Sequence, residues 1–363
     1  MSKQKKGWLA IVCAYRNEEA DLQNTLNAAA ESAGKNAVIY AVEDKEHSGP
    51  GRNRDRGIEA AGTAEVIILI DAHMRFQGDV LKRMALRVKE NGGLITPFCH
   101  HNAECSFSEK TKGGAHCYAG ARIVFRAKDG EQRTALAAKW SKDVKPGPRG
   151  AVMGACYVFR RDWYMEVGQP LAMLSGWGCD EEALSIAAWM SGHTPEVFDG
   201  HVAHLYRQAA PWQANMTATE RAAVKLNRMD LIHAVVSDAN ARRELEQWTA
   251  GIRQLPSPAC ERFRQALLKQ PRKWGEWRDS VCEPDEIDGK QECKPRIAVD
   301  RPCVRKTQTQ NIRVPVAGIT CPHCQTVYDT LPTTHTFPNG NRRHKCPTCG
   351  NPFISFLLVL QHK

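Results

Sequence analysis

The sequence predicts an α/β fold: a Rossmann-like domain with a mostly parallel sheet, then a helical segment, then a small C-terminal zinc ribbon. Three observations predict it. Apolar runs alternate with amphipathic stretches through the first hundred residues, the pattern of a parallel sheet covered on both faces. From residue 211 the apolar spacing becomes helical. The tail carries two Cys-x-x-Cys pairs.

The elements are read in chain order. "WLAIVCAY" (8–15) is a buried strand rather than a signal peptide, because its short apolar run passes straight into "RNEE". Residues 17–34 carry acids in the first turn and end in Gly34, as a helix does. Strands over 37–44 and 64–71 flank a helix over 53–62. A helix over 78–93 leads into a strand over 94–98. Residues 99–150, rich in Gly, Lys and His, are expected as long loops around a site. A strand and short helix (151–168), a loop opening a helix (176–193) and an extended stretch (196–207) complete the domain. Thr217 and Glu220 have the spacing of a capping box. The boundaries expected are 1–210 for the α/β domain, 211–280 for the helical extension, 281–312 for a polar linker and 313–363 for the ribbon.

Composition narrows the function classes. The chain has 363 residues, a net charge of +10 and 14 cysteines. No apolar run approaches the ~20 residues that span a bilayer, so no membrane span is expected. Scattered cysteines without a secretion signal favour a reduced, cytoplasmic compartment, in a bacterium or an infected host cell. The positive balance favours polyanionic partners: nucleic acid, anionic lipid or nucleotide-linked substrates.

Three groups of residues carry chemistry. Cys321, Cys324, Cys346 and Cys349 can offer four thiolates to a structural Zn²⁺ at about 2.3 Å. A unit this small has too little core to fold on apolar burial alone, and metal binding supplies the difference. The second group closes a strand: "VIILIDAH" ends in Asp71-Ala72-His73. Side chains alternate along a strand, so Asp71 and His73 share a face. They are either an ion pair or two ligands of one divalent cation. The third group is "GWGCDEE" (176–182), which puts Asp180 and Glu181 at a helix N-terminus, where the dipole favours a carboxylate. Cys99, His100, His101, Cys105, His116 and Cys117 form a looser cluster whose spacing fits no standard metal site.

Four stretches carry a resemblance: "IVCAYRNEEADLQNTLNAA", "VEDKEHSGPGRNRDRGIEAA", "VIILIDAH" and "GWGCDEEALSIAAWMSGH". Together they resemble family-2-type nucleotide-sugar glycosyltransferases of the glycosyltransferase-A (GT-A) fold, over residues 7–207. The resemblance implies that Ala14, Tyr15, Arg16, Glu18 and Asp44 hold the uridine of a UDP-sugar donor. The Asp-x-His motif is similar to that of the polypeptide N-acetylgalactosaminyltransferases. So is "GHVAHLYR" (200–207), which implies His204 as a third ligand of Mn²⁺ or Mg²⁺ beside Asp71 and His73. Arg16, Arg54 and Arg207 would help neutralise the diphosphate. In inverting relatives an acid of the "DEE" type is the general base, here Glu181 or Asp180. The Asp-x-His site leans towards retaining relatives, so stereochemistry stays open.

The function expected is metal-dependent transfer of a sugar to a hydroxyl. Zinc ribbon and charge suggest a nucleic-acid acceptor, for example a hydroxymethylated base in phage-type DNA. The rivals are a protein or glycan acceptor, and an inactive transferase scaffold that binds nucleic acid.

Overall fold

A computed structural model gives the fold. It describes residues 7–16, 19–102, 104–107, 116–130, 132–141, 143–205, 217–249, 255–283, 285–287 and 290–291. Towards the C-terminus it describes 319–320, 327–328, 333–336, 342–345 and 352–355. The chain divides into two compact units, Met1–Ile297 and Ala298–Lys363.

The first unit begins as expected with β1 (Leu9–Tyr15), α1 (Glu19–Ala33), β2 (Ala37–Glu43), α2 (Pro50–Ala60) and β3 (Val66–Asp71). Next come a short β4 (Met74–Phe76), α3 (Val80–Asn91) and β5 (Leu94–Asn102). Strands β6 (His116–Tyr118), β7 (Ala121–Asp129), β8 (Gln132–Trp140) and β9 (Gly147–Pro148) lead to β10 (Cys156–Arg160). Then come α4 (Arg161–Glu166), α5 (Asp180–Met190) and β11 (Glu196–Leu205). Helices α6 (Ala218–Val235), α7 (Ala239–Thr249), α8 (Pro258–Leu268) and α9 (Trp274–Ser280) precede β12 (Glu286–Ile287) and β13 (Lys290–Gln291).

The main sheet has the order β2-β1-β3-β10-β5-β11-β4, with β6 on β5 and β9 on β11. Strands β1, β2, β3, β5 and β11 run one way, and β10, β4, β6 and β9 run against them. The sheet is therefore mixed, where a mostly parallel one is expected from the sequence. An apolar run such as "CYVFR" declares a buried strand but not its direction. Val66 to Ile70 of β3 are fully buried, each worth about 2 kcal/mol in apolar burial. That row fixes the strand whose end carries Asp71.

Residues 99–150 correct the expectation of loops. β5 continues to Asn102, and β7 and β8 form a hairpin in a second sheet, β13-β12-β7-β8. The start of the expected linker belongs to that sheet. Arg122 pairs with Glu283 (2.7 Å) and with Glu286, and Arg126 pairs with Asp285. Acids that look solvated in sequence are held by two arginines of one strand.

Two close approaches place α2 against the site. A Cβ on Gly57 would stand 2.3 Å from Val12 Cγ1, so α2 lies directly on β1. A Cβ on Gly49 would stand 1.8 Å from the Gly176 carbonyl oxygen. Gly49 has φ 91° and Gly176 φ 68°, and the Gly176 N–H donates to the Ser48 carbonyl at 2.8 Å. The capping box is present: Thr217 Oγ1 accepts from the Glu220 N–H at 3.1 Å, and Glu220 Oε2 accepts from the Thr217 N–H at 2.7 Å.

In the second unit β14 (Ile319–Thr320) pairs with β15 (Val327–Tyr328), and β16 (Thr333–Thr336), β17 (Arg342–Lys345) and β18 (Pro352–Ser355) form an antiparallel sheet. Cys321, Cys324, Cys346 and Cys349 lie outside the described residues.

These contacts make two testable demands on stability. Gly57→Ala forces α2 off β1 and costs about 1–3 kcal/mol; a lowered urea midpoint checks this, and an unchanged midpoint refutes it. Thr217 and then Arg16 hold the Glu220 carboxyl down at about 2. A lowered native pKa means stability present above the unfolded value and lost as pH falls through the native one. Glu220→Gln is therefore less stable than wild type at neutral pH, and the gap closes as pH falls from about 4.5 towards 2, read by thermal unfolding across pH.

Candidate functional site

The site is built where three pieces of chain meet. Asp71 is the last residue of β3, Ala72 is fully buried, and His73 precedes β4. The alternation read from sequence holds at this corner. Thr25 of α1 clamps it: its hydroxyl donates to the Ala72 carbonyl (2.9 Å) and accepts from the Met74 N–H (3.0 Å). β4 then pairs antiparallel with β11, which sets His204 opposite Met74. The Leu205 N–H donates to the His73 carbonyl at 3.0 Å.

Asp71, His73 and His204 can each offer a ligand atom, and all three atoms lie within 4.8 Å of one another. The His204 Nε2–Asp71 Oδ2 distance is 3.3 Å, and the two imidazole rings are 4.5 Å apart. One carboxylate and two imidazoles are a donor set that suits a divalent transition ion such as Mn²⁺.

Arg54 is the second component. Its guanidinium donates to Asp71 Oδ1 at 2.5 Å and also to Asp180 Oδ2. It lies over the Tyr157 ring, 5.5 Å from the centroid. Burial works against its charge, yet Asp71 and Asp180 hold its pKa well above the ordinary arginine value. Burial likewise opposes ionisation of Asp71, but Arg54 first and His204 next keep its carboxyl far below the usual range. Asp71 is thus charged at neutral pH.

Glu181 sits beside this pair. Tyr157 donates its hydroxyl to Glu181 Oε1 at 2.7 Å. Burial, then the neighbouring Asp180 and Glu182, push the Glu181 carboxyl well above its usual value. A raised carboxyl pKa suits either hydrogen bonding to a hydroxyl or acid–base exchange with it.

The expected uridine residues line the carboxyl ends of β1 and β2. Ala14 is opposite Asp71 in the β1–β3 register, and Tyr15 is opposite Glu43 on β2. Arg16 Nη1 donates to Glu220 Oε1 at 2.5 Å, tying the helical extension to the site edge. Asp44 accepts from the Ser48 N–H (2.8 Å) and hydroxyl (3.1 Å), and from the Gly49 N–H (2.9 Å). Burial opposes its charge, and these donors with Asn53 outweigh it and lower its pKa. Asp44 therefore shapes the turn into α2. Glu18 and Arg207 lie outside the described residues. Asp55 faces inward and accepts the Tyr164 hydroxyl at 2.8 Å. A groove of about 1060 Å³ runs along another face of α2, lined by Arg52, Arg56, Asp230 and His233. None of Asp71, His73, His204, Asp180 or Glu181 lines it.

Sequence reasoning missed the supports. Glu182 accepts from Arg228 Nη2 (2.8 Å) and the Ala138 N–H (3.1 Å), which joins α5, α6 and β8. The Asn227 amide donates to the Trp177 (3.3 Å) and Gly178 (3.1 Å) carbonyls, while its oxygen accepts from the Ser175 N–H (2.7 Å). It fixes the loop that displays the exposed Trp177. These partners lie far apart in the chain, and no local spacing announces them.

No protein-family model matches the chain. The chain is similar to polypeptide N-acetylgalactosaminyltransferase 13 of Homo sapiens, 26% identical over 204 residues, covering 54% of this chain and 36% of that protein. It is similar to human polypeptide N-acetylgalactosaminyltransferase 18, 26% identical over 212 residues, covering 56% and 33%. It thus spans about a third of the length of these curated relatives. Among solved structures it is similar to GalNAc-T7 crystallised with UDP, GalNAc and Mn²⁺, with TM-score 0.55 and 15% identity, covering 75% of this chain and 56% of that one. The proteins it resembles are glycosyltransferases, and its fold is a mixed α/β fold of the GT-A kind.

Proposed function

We propose that this protein is a metal-dependent glycosyltransferase that moves a sugar from a UDP-sugar to a hydroxyl. One observation carries the proposal: Asp71, His73 and His204, from separate parts of the chain, converge within 4.8 Å of one another beside the buried Arg54 cation. Asp71, His73 and His204 would hold Mn²⁺ or Mg²⁺, and the relative GalNAc-T7 was crystallised with Mn²⁺ and UDP. The bound ion supplies positive charge for the diphosphate that leaves the sugar.

The chain's own residues do the rest. Arg54 fixes the Asp71 carboxylate in place and in its charged form. Ala14, Tyr15 and Arg16 line the edge where the uridine is proposed to bind, with Asp44 shaping the turn beside it. Glu18 and Arg207 would add further contacts to the donor. Trp177, held on its loop by Asn227, offers an aromatic wall to a sugar or acceptor. Glu181 is the residue for the acceptor side, with Asp180 committed to Arg54. The hydroxyl that Tyr157 donates to Glu181 supports a positioning role beside the general-base role expected from the sequence. The positioning role fits a retaining reaction, which needs no such base.

The acceptor hydroxyl is best supported as a polypeptide side chain, because the curated relatives are polypeptide transferases. A nucleic-acid acceptor, such as a hydroxymethylated DNA base, rests on the +10 charge and on a basic segment outside the described residues. Zn²⁺ held by Cys321, Cys324, Cys346 and Cys349 completes the proposal for the tail. An acceptor panel of peptides, glycans and modified DNA, read by mass spectrometry, separates these acceptors. A protein that binds DNA yet turns over no sugar nucleotide would instead be the inactive scaffold.

Substitutions at the cluster and at Glu181 test the site. Asp71→Ala and His204→Ala each lower Mn²⁺-dependent hydrolysis of the cognate UDP-sugar by at least about a hundredfold, in line with losing charge stabilisation of the transition state. Retained turnover in both would refute the cluster as the donor site. Glu181→Gln keeps the hydrogen-bonding shape and loses about tenfold or less, whereas removal of a true general base costs about 10²–10⁴. If Glu181→Gln falls as far as Asp71→Ala in transfer assays, Glu181 is the base after all.

A further inference from the structure

β11, the strand of His204, also contributes to a second cluster on the other face of the sheet, together with β5 and β6. His100 of β5 sits directly opposite Cys117 of β6. On its other side β11 brings His201 close: His100 Nε2 and His201 Nδ1 are 2.9 Å apart. Cys117 Sγ is 3.8 Å from His100 Nε2. One ligand atom from each of the three lies within 4.8 Å of the others.

The placement comes from strand geometry. His100 and His101 are consecutive, so they face opposite ways. His101 meets His204, with ring centroids 4.7 Å apart, on the donor-site face. β11 is irregular between Phe198 and His201, where the residues opposite Pro97 and Phe98 on β5 are three apart. A bulge re-aims the side chains beyond it, and His201 and His204, an odd number apart, then point to opposite faces. Phe98 stacks on His201 at 5.1 Å, and Phe107 meets His100 edge-on at 6.1 Å. Phe98, Ala119 and Val197 form a small apolar core against which Cys117 packs. His100 itself is buried, 4% exposed.

We propose that His100 Nε2, Cys117 Sγ and His201 Nδ1 bind one Zn²⁺, a site separate from the donor cluster. In a tetrahedral zinc site with Zn–N near 2.0 Å and Zn–S near 2.3 Å, ligand atoms stand about 3.3–3.6 Å apart. The observed spacings bracket that range, so small side-chain rotations close the site. A thiolate and two imidazoles suit zinc and disfavour Mg²⁺ or Ca²⁺. The Asp71 cluster, with its carboxylate, is the harder of the two. Three ligands leave a fourth position to solvent. Binding would form one Zn–S and two Zn–N bonds, release the Cys117 thiol proton to solvent, and break the His100–His201 hydrogen bond, its proton shifting to the other nitrogen of the same ring. The ion ties β6, β5 and β11 together, pinning β6 onto the sheet that carries His204.

The test uses the 363-residue chain carrying Cys321→Ser, Cys324→Ser, Cys346→Ser and Cys349→Ser, so that any tail zinc is removed. Titration with Co²⁺ should give a thiolate-to-cobalt charge-transfer band that saturates at one equivalent. Mass spectrometry of the zinc-loaded protein should find one zinc more per chain than in the same protein carrying Cys117→Ser. The band should vanish in Cys117→Ser and in His201→Gln, and persist in Asp71→Ala and Cys105→Ser. Absence of the band in the tail-substituted protein overturns the proposal without any change at the cluster. So does a band that survives Cys117→Ser, which would leave His100 and His201 as a hydrogen-bonded pair only.

Discussion

A single buried guanidinium organises the first unit around its site. Arg54 leaves α2 and reaches Asp71 at the end of β3 and Asp180 at the start of α5. Only 5% of its side chain is exposed. A buried cation is costly unless carboxylates surround it, so the three elements must arrive together for the fold to be stable. The glycine contacts at Gly49, Gly57 and Gly176 serve the same end, since any side chain there would hold α2 or the 176–179 loop away. The arrangement also bears on charge: Arg54 beside Asp71 holds its carboxyl far below the usual range, the ionised state that the proposed role as a ligand of a divalent cation requires.

Much of this was legible in the sequence. The β1–α1–β2–α2–β3 run comes from alternation and from terminal glycines. The placement of Asp71 and His73 on one face comes from the period of a strand. The approach of His204, 133 residues beyond Asp71, was legible only through the resemblance of "GHVAHLYR" to a known ligand segment. The structure gives that approach a physical cause: β4 turns across the sheet and pairs with β11, so the strand that carries His204 is the next neighbour of the residue after His73.

The illegible part was set by long-range partners. "ARIVFRAKD" and "QRTALAAKW" carry charges that read as solvated loop, yet Arg122 and Arg126 point those charges at Glu283, Glu286 and Asp285. The acids in turn make the 281–287 stretch look like linker. Each half of the pattern is misleading alone, and only the register of β12 against β7 makes them complementary. Thr25, Asn227 and Arg228 are the same case at the site. They are ordinary helix residues whose meaning lies in the carbonyls and carboxylates that other elements bring to them.

Strand alternation has one more consequence here. A residue pair such as His100–His101 delivers one imidazole to each face of the sheet, so β5 places His100 in one cluster and His101 beside His204 of the other, while β11 supplies a member to each. On one face stands the carboxylate of Asp71, kept charged by Arg54. On the other face a cysteine takes the carboxylate's place, and the rings of Phe98 and Phe107 stand against the cluster. The two faces share a backbone, so a change that slips β11 by one residue would exchange His201 and His204 between them. The irregularity between Phe198 and His201 sets that register, and with it which cluster each imidazole joins.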